Sequence, residues 1–313
     1  MPKKTCFPAM LVLLLTAAAA AADKPAAGND PVARIRQLTG QGFPVVDYHA
    51  HLKGGLTLDE LLAHAKQTGI RYGVAPNCGK GFPITNDDGI REFVKAMRGK
   101  GVLLGMQAEG REWVTMFSKE AVAQFDYVFS DAMTFTDHRG QRVRLWIKEE
   151  VDVPDKEAFM ELLLGKIVGI LDNEPIDIYV NPTFLPDVIA KDYDALWTKP
   201  RMERVIDAAV CNGVAIEINA RYRLPSPAFI KLAKSKGAKF SFGTNNGDRD
   251  LGRLEYCLDM VKECGLTAAD MFTPKPDGKK PVQIKGFKKW LRESTASASS
   301  ASALSARSTP TDT

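Results

Sequence analysis

The sequence predicts an α/β fold in which seven short strands alternate with helices and close into a barrel. Short runs of apolar and β-branched residues alternate with segments whose apolar residues recur at helical spacing, a pattern typical of parallel strands joined by helical crossovers. Polar side chains also follow each run, as expected where the strands of a barrel end at one mouth. A chain of 313 residues that is 45% hydrophobic can bury such a core as one domain.

The predicted strands can be placed in order along the chain. They cover residues 43–47, 72–75, 102–107, 127–129, 176–180, 214–218 and 239–243. Thr57 and Glu60 predict a capping box for the first helix, which is expected to end at Gly69. Ser226 followed by Pro227 predicts another helix start. Residues 131–152 are less regular and long for a barrel loop, which indicates a lid or binding element.

Both ends of the chain are expected to lie outside the barrel. Residues 1–22 combine Lys3 and Lys4 with a short apolar run and an alanine tract, the layout of a cleavable signal for export to the periplasm or outside the cell. The alternative, a membrane anchor, is disfavoured because a spanning helix needs about 20 apolar residues. The other divisions are a linker, a barrel domain and a disordered Ser/Thr/Ala tail, at residues 23–40, 41–293 and 294–313.

Composition narrows the range of partners. The formal net charge is only +4, and two of the basic residues lie in the predicted signal, so nucleic acid is not an expected partner. None of the five cysteines forms a CxxC pair, which disfavours a thiolate zinc site. The expected partner is a small-molecule substrate, with no membrane attachment after signal cleavage, and the oligomeric state is left open.

The strongest candidate site lies at the predicted barrel mouth. His49 and His51 are two apart on an extended segment, so both imidazoles point to the same side and can bind one cation. Glu109 follows the third strand, where a buried carboxylate without a cation would be costly. Asp131 follows the fourth strand and is placed either to complete the coordination or to cap a loop. Two histidines and a carboxylate suit one divalent Zn, Mn or Fe ion, with positions open for water and substrate.

Other polar residues near the strand ends predict a substrate site around this metal. Five asparagines suit hydrogen bonds to a polyhydroxy or carboxylated ligand: Asn77, Asn181, Asn219, Asn245 and Asn246. Lys53 and Arg221 are candidates to hold an anionic group, and Asp248 or His138 to move protons, although a histidine placed like His138 is more often a solvated surface residue. Glu217 precedes Asn219 by two residues and is either structural or part of the site.

Several segments between residues 44 and 272 form an ordered series. They are Val46-Asp-Tyr-His-Ala-His51, Gln107-Ala-Glu-Gly110, Phe125-Asp-Tyr-Val128, Ala215-Ile-Glu-Ile-Asn-Ala220, Leu224-Pro-Ser-Pro227 and Phe240-Ser-Phe-Gly-Thr244. This series resembles the PHP (polymerase and histidinol phosphatase) family of metal-dependent phosphoesterases. The resemblance implies a distorted seven-unit TIM-like barrel, hydrolysis of phosphate esters, and metal-ligand roles for His49, His51 and Glu109.

The chain departs from the family pattern at other ligand positions. Asn77-Cys78 stands where the family has Asp-His, Asn181-Pro182 where it has His-Pro, and Thr244-Asn-Asn-Gly247 where it has Ser-Asp-Ala-His. These replacements predict a reduced site with one metal. Three hypotheses follow: an exported metal-dependent hydrolase, a metal-dependent isomerase, lyase or oxygenase, and a binding barrel without catalytic activity.

Overall fold

The computed structural model describes residues 30–286. The predicted signal peptide and the Ser/Thr/Ala tail lie outside the described residues. Within 30–286, no helix has the length and apolar character needed to span a bilayer.

Seven parallel strands close into a barrel, which confirms the predicted α/β barrel. The strands of the described chain are β1 (Val46–Ala50), β2 (Arg71–Val74), β3 (Asn77–Gly79), β4 (Leu103–Glu109), β5 (Tyr127–Ser130), β6 (Thr134–Thr136), β7 (Arg142–Arg144), β8 (Ile178–Tyr179), β9 (Ala215–Asn219) and β10 (Phe240–Gly243). Around the barrel the order is β2, β1, β10, β9, β8, β5 and β4, and β4 pairs with β2 to close the ring. The short β3 pairs with β4 as well, while β6 and β7 form a separate antiparallel hairpin.

Helices connect the strands around the outside of the barrel. They are α1 (Pro31–Gly40), α2 (Leu58–Thr68), α3 (Asp87–Met97), α4 (Trp113–Met116), α5 (Lys119–Val122), α6 (Lys156–Asn173), α7 (Asp187–Ala190), α8 (Tyr193–Leu196), α9 (Lys199–Asn212), α10 (Pro227–Ser235), α11 (Glu255–Glu263) and α12 (Pro281–Ile284). The capping box of Thr57 and Glu60 is present and Gly69 ends α2 in the left-handed conformation, as predicted. Ser226 caps α10, with Pro227 in its first turn.

Two predictions about the start of the barrel were wrong in detail. The linker predicted for residues 23–40 is helical from Pro31 onwards, because the Asp30 side chain accepts a hydrogen bond from the Val32 amide and Ile35 is buried. The first strand runs from Val46 to Ala50 rather than over residues 43–47. The strand therefore carries His49 itself, and His51 follows it directly.

Tyr127 fills the barrel interior below the mouth. Its ring is fully buried, and its hydroxyl donates to the Tyr48 carbonyl at 2.6 Å. Gly73 and Gly105, on neighbouring strands, face this ring. A Cβ at Gly105 would lie 2.6 Å from both the hydroxyl oxygen and Cζ of Tyr127, and one at Gly73 would lie 2.0 Å from the hydroxyl. The two glycines therefore make room for the tyrosine.

We expect Gly105→Ala to lower the free energy of unfolding by about 1–3 kcal/mol, because the new methyl group overlaps a ring that has no room to move. Chemical denaturation measures the change. Gly165→Ala is the matched control, since a Cβ at this position in α6 meets no atom within 4 Å. The free energy of unfolding of the control is expected to rise by about 0.5–1 kcal/mol, because alanine has a better helix propensity than glycine. Equal losses in the two variants would contradict the packing explanation.

Candidate functional site at the barrel mouth

A cavity of about 380 Å³ opens at the carboxyl ends of the strands, and we call it the mouth cavity. Its polar wall consists of Asn77, Gln107, Glu109, Asp131, Asn181 and Asn245. Lys53 and Arg221 also line it. Its apolar and aromatic wall consists of Phe82, Pro83, Met133, Trp146 and Tyr222. Thus most of the site residues predicted from strand ends meet in one cavity.

His49 and His51 are buried next to each other, with ring centroids 5.1 Å apart. The Nδ1 atom of His49 lies 2.6 Å from Glu217 Oε1, and that of His51 lies 2.7 Å from the Ala75 carbonyl oxygen. The Nε2 atoms of both rings are buried and have no hydrogen-bond partner in residues 30–286. A histidine with one nitrogen held by a carboxylate or carbonyl and the other free is the form that binds metal ions.

Glu109 and Asp131 place two buried carboxylates in the wall of the mouth cavity. Glu109 Oε1 accepts from Asn77 Nδ2 at 2.6 Å, and Asp131 Oδ2 accepts from Asn181 Nδ2 at 2.8 Å. Burial, with repulsion from Asp131, raises the pKa of Glu109 to about 8. Burial also raises the pKa of Asp131, although hydrogen bonds from the Met133 backbone amide and the Asn181 side chain oppose the shift. Two such groups disfavour each other's charge, and a cation beside them would relieve both penalties.

Lys53 and Arg221 bring positive charge to the cavity. Neither forms a salt bridge with a described residue, and the Arg221 guanidinium donates only to the Asn245 carbonyl, at 3.1 Å. Burial lowers the pKa of Lys53, Glu109 raises it and the like charge of Arg221 lowers it, so the two cations lie close enough to interact. Both are therefore free to bind an anionic group.

The five asparagines divide into two groups. Asn77, Asn181 and Asn245 line the mouth cavity. Asn181 and Asn245 have φ angles of 50° and 46°, in the left-handed region that asparagine tolerates better than most residues. Asn219 and Asn246 lie outside the cavity lining, and both are buried. Asn219 Nδ2 donates to Asn181 Oδ1 and Glu217 Oε2, and Asn246 bonds both backbone groups of His51.

His138 and Asp248, the two residues predicted to move protons, lie outside the mouth cavity. His138 lies in a different cavity of about 250 Å³ beside the β6–β7 hairpin, and its Nε2 is 3.7 Å from Asp152 Oδ2. The turn of the hairpin carries His138 there, because it follows β6 instead of ending a barrel strand. Asp248 lines a shallow depression that it shares with Arg221, at the outer edge of the site.

Three features of the site were missed or left open by the sequence analysis. The loop over residues 131–152 contributes Met133 and Trp146 to the cavity besides Asp131, and its role as a lid or binding element stays a prediction. Phe82 and Tyr222 add further aromatic surface. Glu217, left open between structural and functional roles, is buried and anchors His49. Its position two residues before Asn219 was the only sequence signal for that role.

The donor types at this end of the barrel suit a divalent ion, since they include two unpartnered imidazole nitrogens and two carboxylates. Glu109 and Asp131 line the mouth cavity, whereas His49 and His51 do not. As they stand, no three His, Cys, Asp or Glu side chains between residues 30 and 286 are grouped closely enough to hold a metal ion. The hydrogen bonds from Asn77 to Glu109 and from Asn181 to Asp131 each occupy one carboxylate oxygen. Metal binding requires the candidate ligands to move closer together, because of the spacing of these side chains.

No family model and no curated protein matches the chain. Among solved structures, it is similar to a triazine hydrolase from Arthobacter aurescens at 17% identity and a TM-score of 0.32, over 71% of this chain and 51% of the hydrolase. A variant of the citrate synthase SbnG is similar at 12% identity and a TM-score of 0.34, over 74% of this chain and 99% of that one. A triazine hydrolase variant is similar at 15% identity and a TM-score of 0.31, over 82% of this chain and 60% of that one. The chain spans about half the length of the first of these, and scores this low assign it no activity.

Proposed function

We propose that this chain is an exported metal-dependent hydrolase that acts on a small polar substrate carrying a phosphate or a carboxylate. The observation that carries the proposal is the pair of buried, unpartnered Nε2 atoms of His49 and His51. Burying two acceptor nitrogens without a hydrogen-bond partner costs free energy, and a bound cation would remove that cost. We further propose that the chain is a divergent relative of the PHP phosphoesterases, on the strength of its ordered sequence segments. The proposed export follows from the pattern of residues 1–22.

In this proposal His49, His51, Glu109 and Asp131 hold one divalent ion, with Zn, Mn and Fe as the candidates. When bound, such an ion would supply a Lewis acid and would lower the pKa of water, so that a hydroxide nucleophile is available near neutral pH. The protein's part is to keep both histidine rings in the orientation set by Glu217 and by the Ala75 carbonyl.

The remaining mouth residues bind and orient the substrate. Lys53 and Arg221 hold its anionic group, because neither has another ionic partner among the described residues. Asn77 and Asn245 offer their side-chain oxygens to its hydroxyl groups, because neither Oδ1 accepts a hydrogen bond from residues 30–286. Asn181 lines the same wall with its side chain already bonded to Asp131, Asn219 and Asn245. Asp248 is the remaining candidate for proton transfer, because it lies beside Arg221 whereas His138 lies in a separate cavity.

Elemental analysis of the purified protein tests the proposal. We expect about one equivalent of a transition metal in the wild type, lost in His49→Ala, and hydrolytic activity that chelators abolish. His138→Ala is the matched control and should keep its metal, because this histidine is partly exposed and remote from the mouth. Circular dichroism checks that His49→Ala remains folded. A wild type that holds no metal even after reconstitution would sink the hydrolase proposal.

One observation favours a second candidate, a small-molecule-binding barrel that has lost its metals. Each of the two buried carboxylates already accepts a hydrogen bond from an asparagine amide without a cation, Glu109 from Asn77 and Asp131 from Asn181. In that case ligand binding would be unchanged by a chelator, and His49→Ala would lose stability but not affinity. Calorimetric titration with and without chelator separates the two candidates.

A further inference from the structure

We infer that the mouth cavity binds a polyhydroxylated ring that carries one anionic group, and that Trp146 is the residue that selects the ring. The inference takes the mouth cavity as the substrate site and so rests on the proposed function for its location. It does not require a metal ion or hydrolysis.

Trp146 is unusual in being left partly open to solvent. It is 39% exposed, and of the four large exposed hydrophobic residues in the described chain it alone lines the mouth cavity. An aromatic side chain held at the edge of a polar cavity is available to pack against a ligand. Its backbone is fixed on both sides, since the Leu145 amide donates to Met133 and the Ile147 amide donates to Arg144. The backbone that carries the tryptophan is therefore held in place before a ligand arrives.

Tyr222 and Phe82 extend this surface to other parts of the cavity. The Tyr222 ring is held by the Arg221 guanidinium, 5.4 Å from the ring centroid, and by Phe184, whose ring centroid lies 5.0 Å away. Aromatic faces suit a flat or ring-shaped ligand. An acyclic ligand would leave much of this surface in water.

The other walls define the rest of the ligand. The side-chain amides of Asn77 and Asn245 each donate one hydrogen bond within the wall, but their Oδ1 atoms accept none from residues 30–286 and suit ligand hydroxyl groups, which can donate to them. Lys53 and Arg221 suit a single carboxylate or phosphate, because both lack an ionic partner among residues 30–286. A cavity of about 380 Å³ is the size expected for a small ligand of this kind.

Calorimetric titration with defined probes tests the inference, with tryptophan fluorescence as a second readout. Glucuronate and glucose 6-phosphate present a ring with a carboxylate and a ring with a phosphate. Glucose lacks the anion, gluconate lacks the ring, and inorganic phosphate lacks both ring and hydroxyl groups. The variants are Trp146→Ala, the conservative Trp146→Phe, and Val210→Ala, an exposed hydrophobic control on the outer helix α9.

We expect at least one of the two ring anions to bind more tightly than glucose, gluconate and phosphate. Trp146→Ala should weaken that binding about tenfold, and Trp146→Phe should restore most of it. Val210→Ala should change nothing. The stronger of the two ring anions identifies the anionic group.

Equal affinity for gluconate or inorganic phosphate, unchanged affinity in Trp146→Ala, or no binding of either ring anion would each overturn the inference. Failure of the hydrolase proposal is a distinct result. In that case the ring anions would bind in the presence of chelator and without turnover, which leaves the role of Trp146 intact.

Discussion

Glu217→Gln is expected to weaken divalent-metal binding about 10- to 100-fold while the chain stays folded. Glu217 uses both carboxylate oxygens. Its Oε1 lies 2.6 Å from His49 Nδ1, and its Oε2 accepts from the backbone N–H of Asn181 at 2.8 Å and from Asn219 Nδ2 at 3.0 Å. Glutamine has one oxygen and one amide group, so it cannot accept on both sides. If its amide faces His49, the ring must carry its proton on Nε2, and the nitrogen that would bind the metal is blocked.

Metal titration of the Glu217→Gln protein measures this effect, and nitrogen chemical shifts of labelled histidine report the tautomer of His49. The shifts separate a change of tautomer from a general loss of structure. Glu203→Gln is the control, because Glu203 lies on the surface of α9 and pairs only with Lys199, at 3.9 Å. Unchanged metal affinity in Glu217→Gln would mean that Glu217 supports the fold without orienting the ligand.

Arg111→Met is expected to lower the free energy of unfolding by about 3–5 kcal/mol, because it leaves a buried carboxylate without its partner. Arg111 pairs with Glu174, which is buried and also accepts from the Trp113 indole at 2.6 Å. The same guanidinium donates to Ser130 Oγ and the Asp131 carbonyl, both at 2.9 Å. Arg111 thus steadies the end of β5 next to the mouth and is not free to bind an anion there.

The loss of stability in Arg111→Met should become smaller as the pH falls. Burial raises the pKa of Glu174, and Arg111 opposes that shift, so removing Arg111 raises the pKa further. A carboxyl group whose pKa is higher in the folded state destabilises the protein when ionised, and the penalty disappears once pH falls below its unfolded pKa. The stability gap between wild type and Arg111→Met should therefore narrow as the solution is acidified.

Denaturant unfolding at several pH values measures the gap. Arg204→Met is the control: Arg204 pairs with Glu161 at 2.7 Å, but both side chains are about half exposed, so the expected loss is only about 0–1 kcal/mol. A gap for Arg111→Met that stays constant or widens towards acid pH would contradict the role given to Glu174.

The sequence by itself determined the barrel, all seven of its strands, the neighbouring positions of His49 and His51, and the position of Glu109 and Asp131 at one mouth. These features depend on local periodicity and on the rule that parallel strands end on the same side, and both can be read from residue order. Strand limits were less certain. β1 begins three residues later than predicted, because burial of the residues from Phe43 onwards does not by itself show which of them pair with a neighbouring strand.

Only the tertiary structure decided what each polar side chain does. Asn219 and Asn246 look equivalent to Asn245 in the sequence, yet they are buried and hydrogen-bonded within the fold, whereas Asn245 lines the mouth cavity. The β6–β7 hairpin places Trp146 in the cavity and His138 outside it, although both lie in one irregular segment. The role of each side chain depends on contacts with residues distant in sequence. Local sequence patterns do not reveal these contacts, because they form only when the barrel closes.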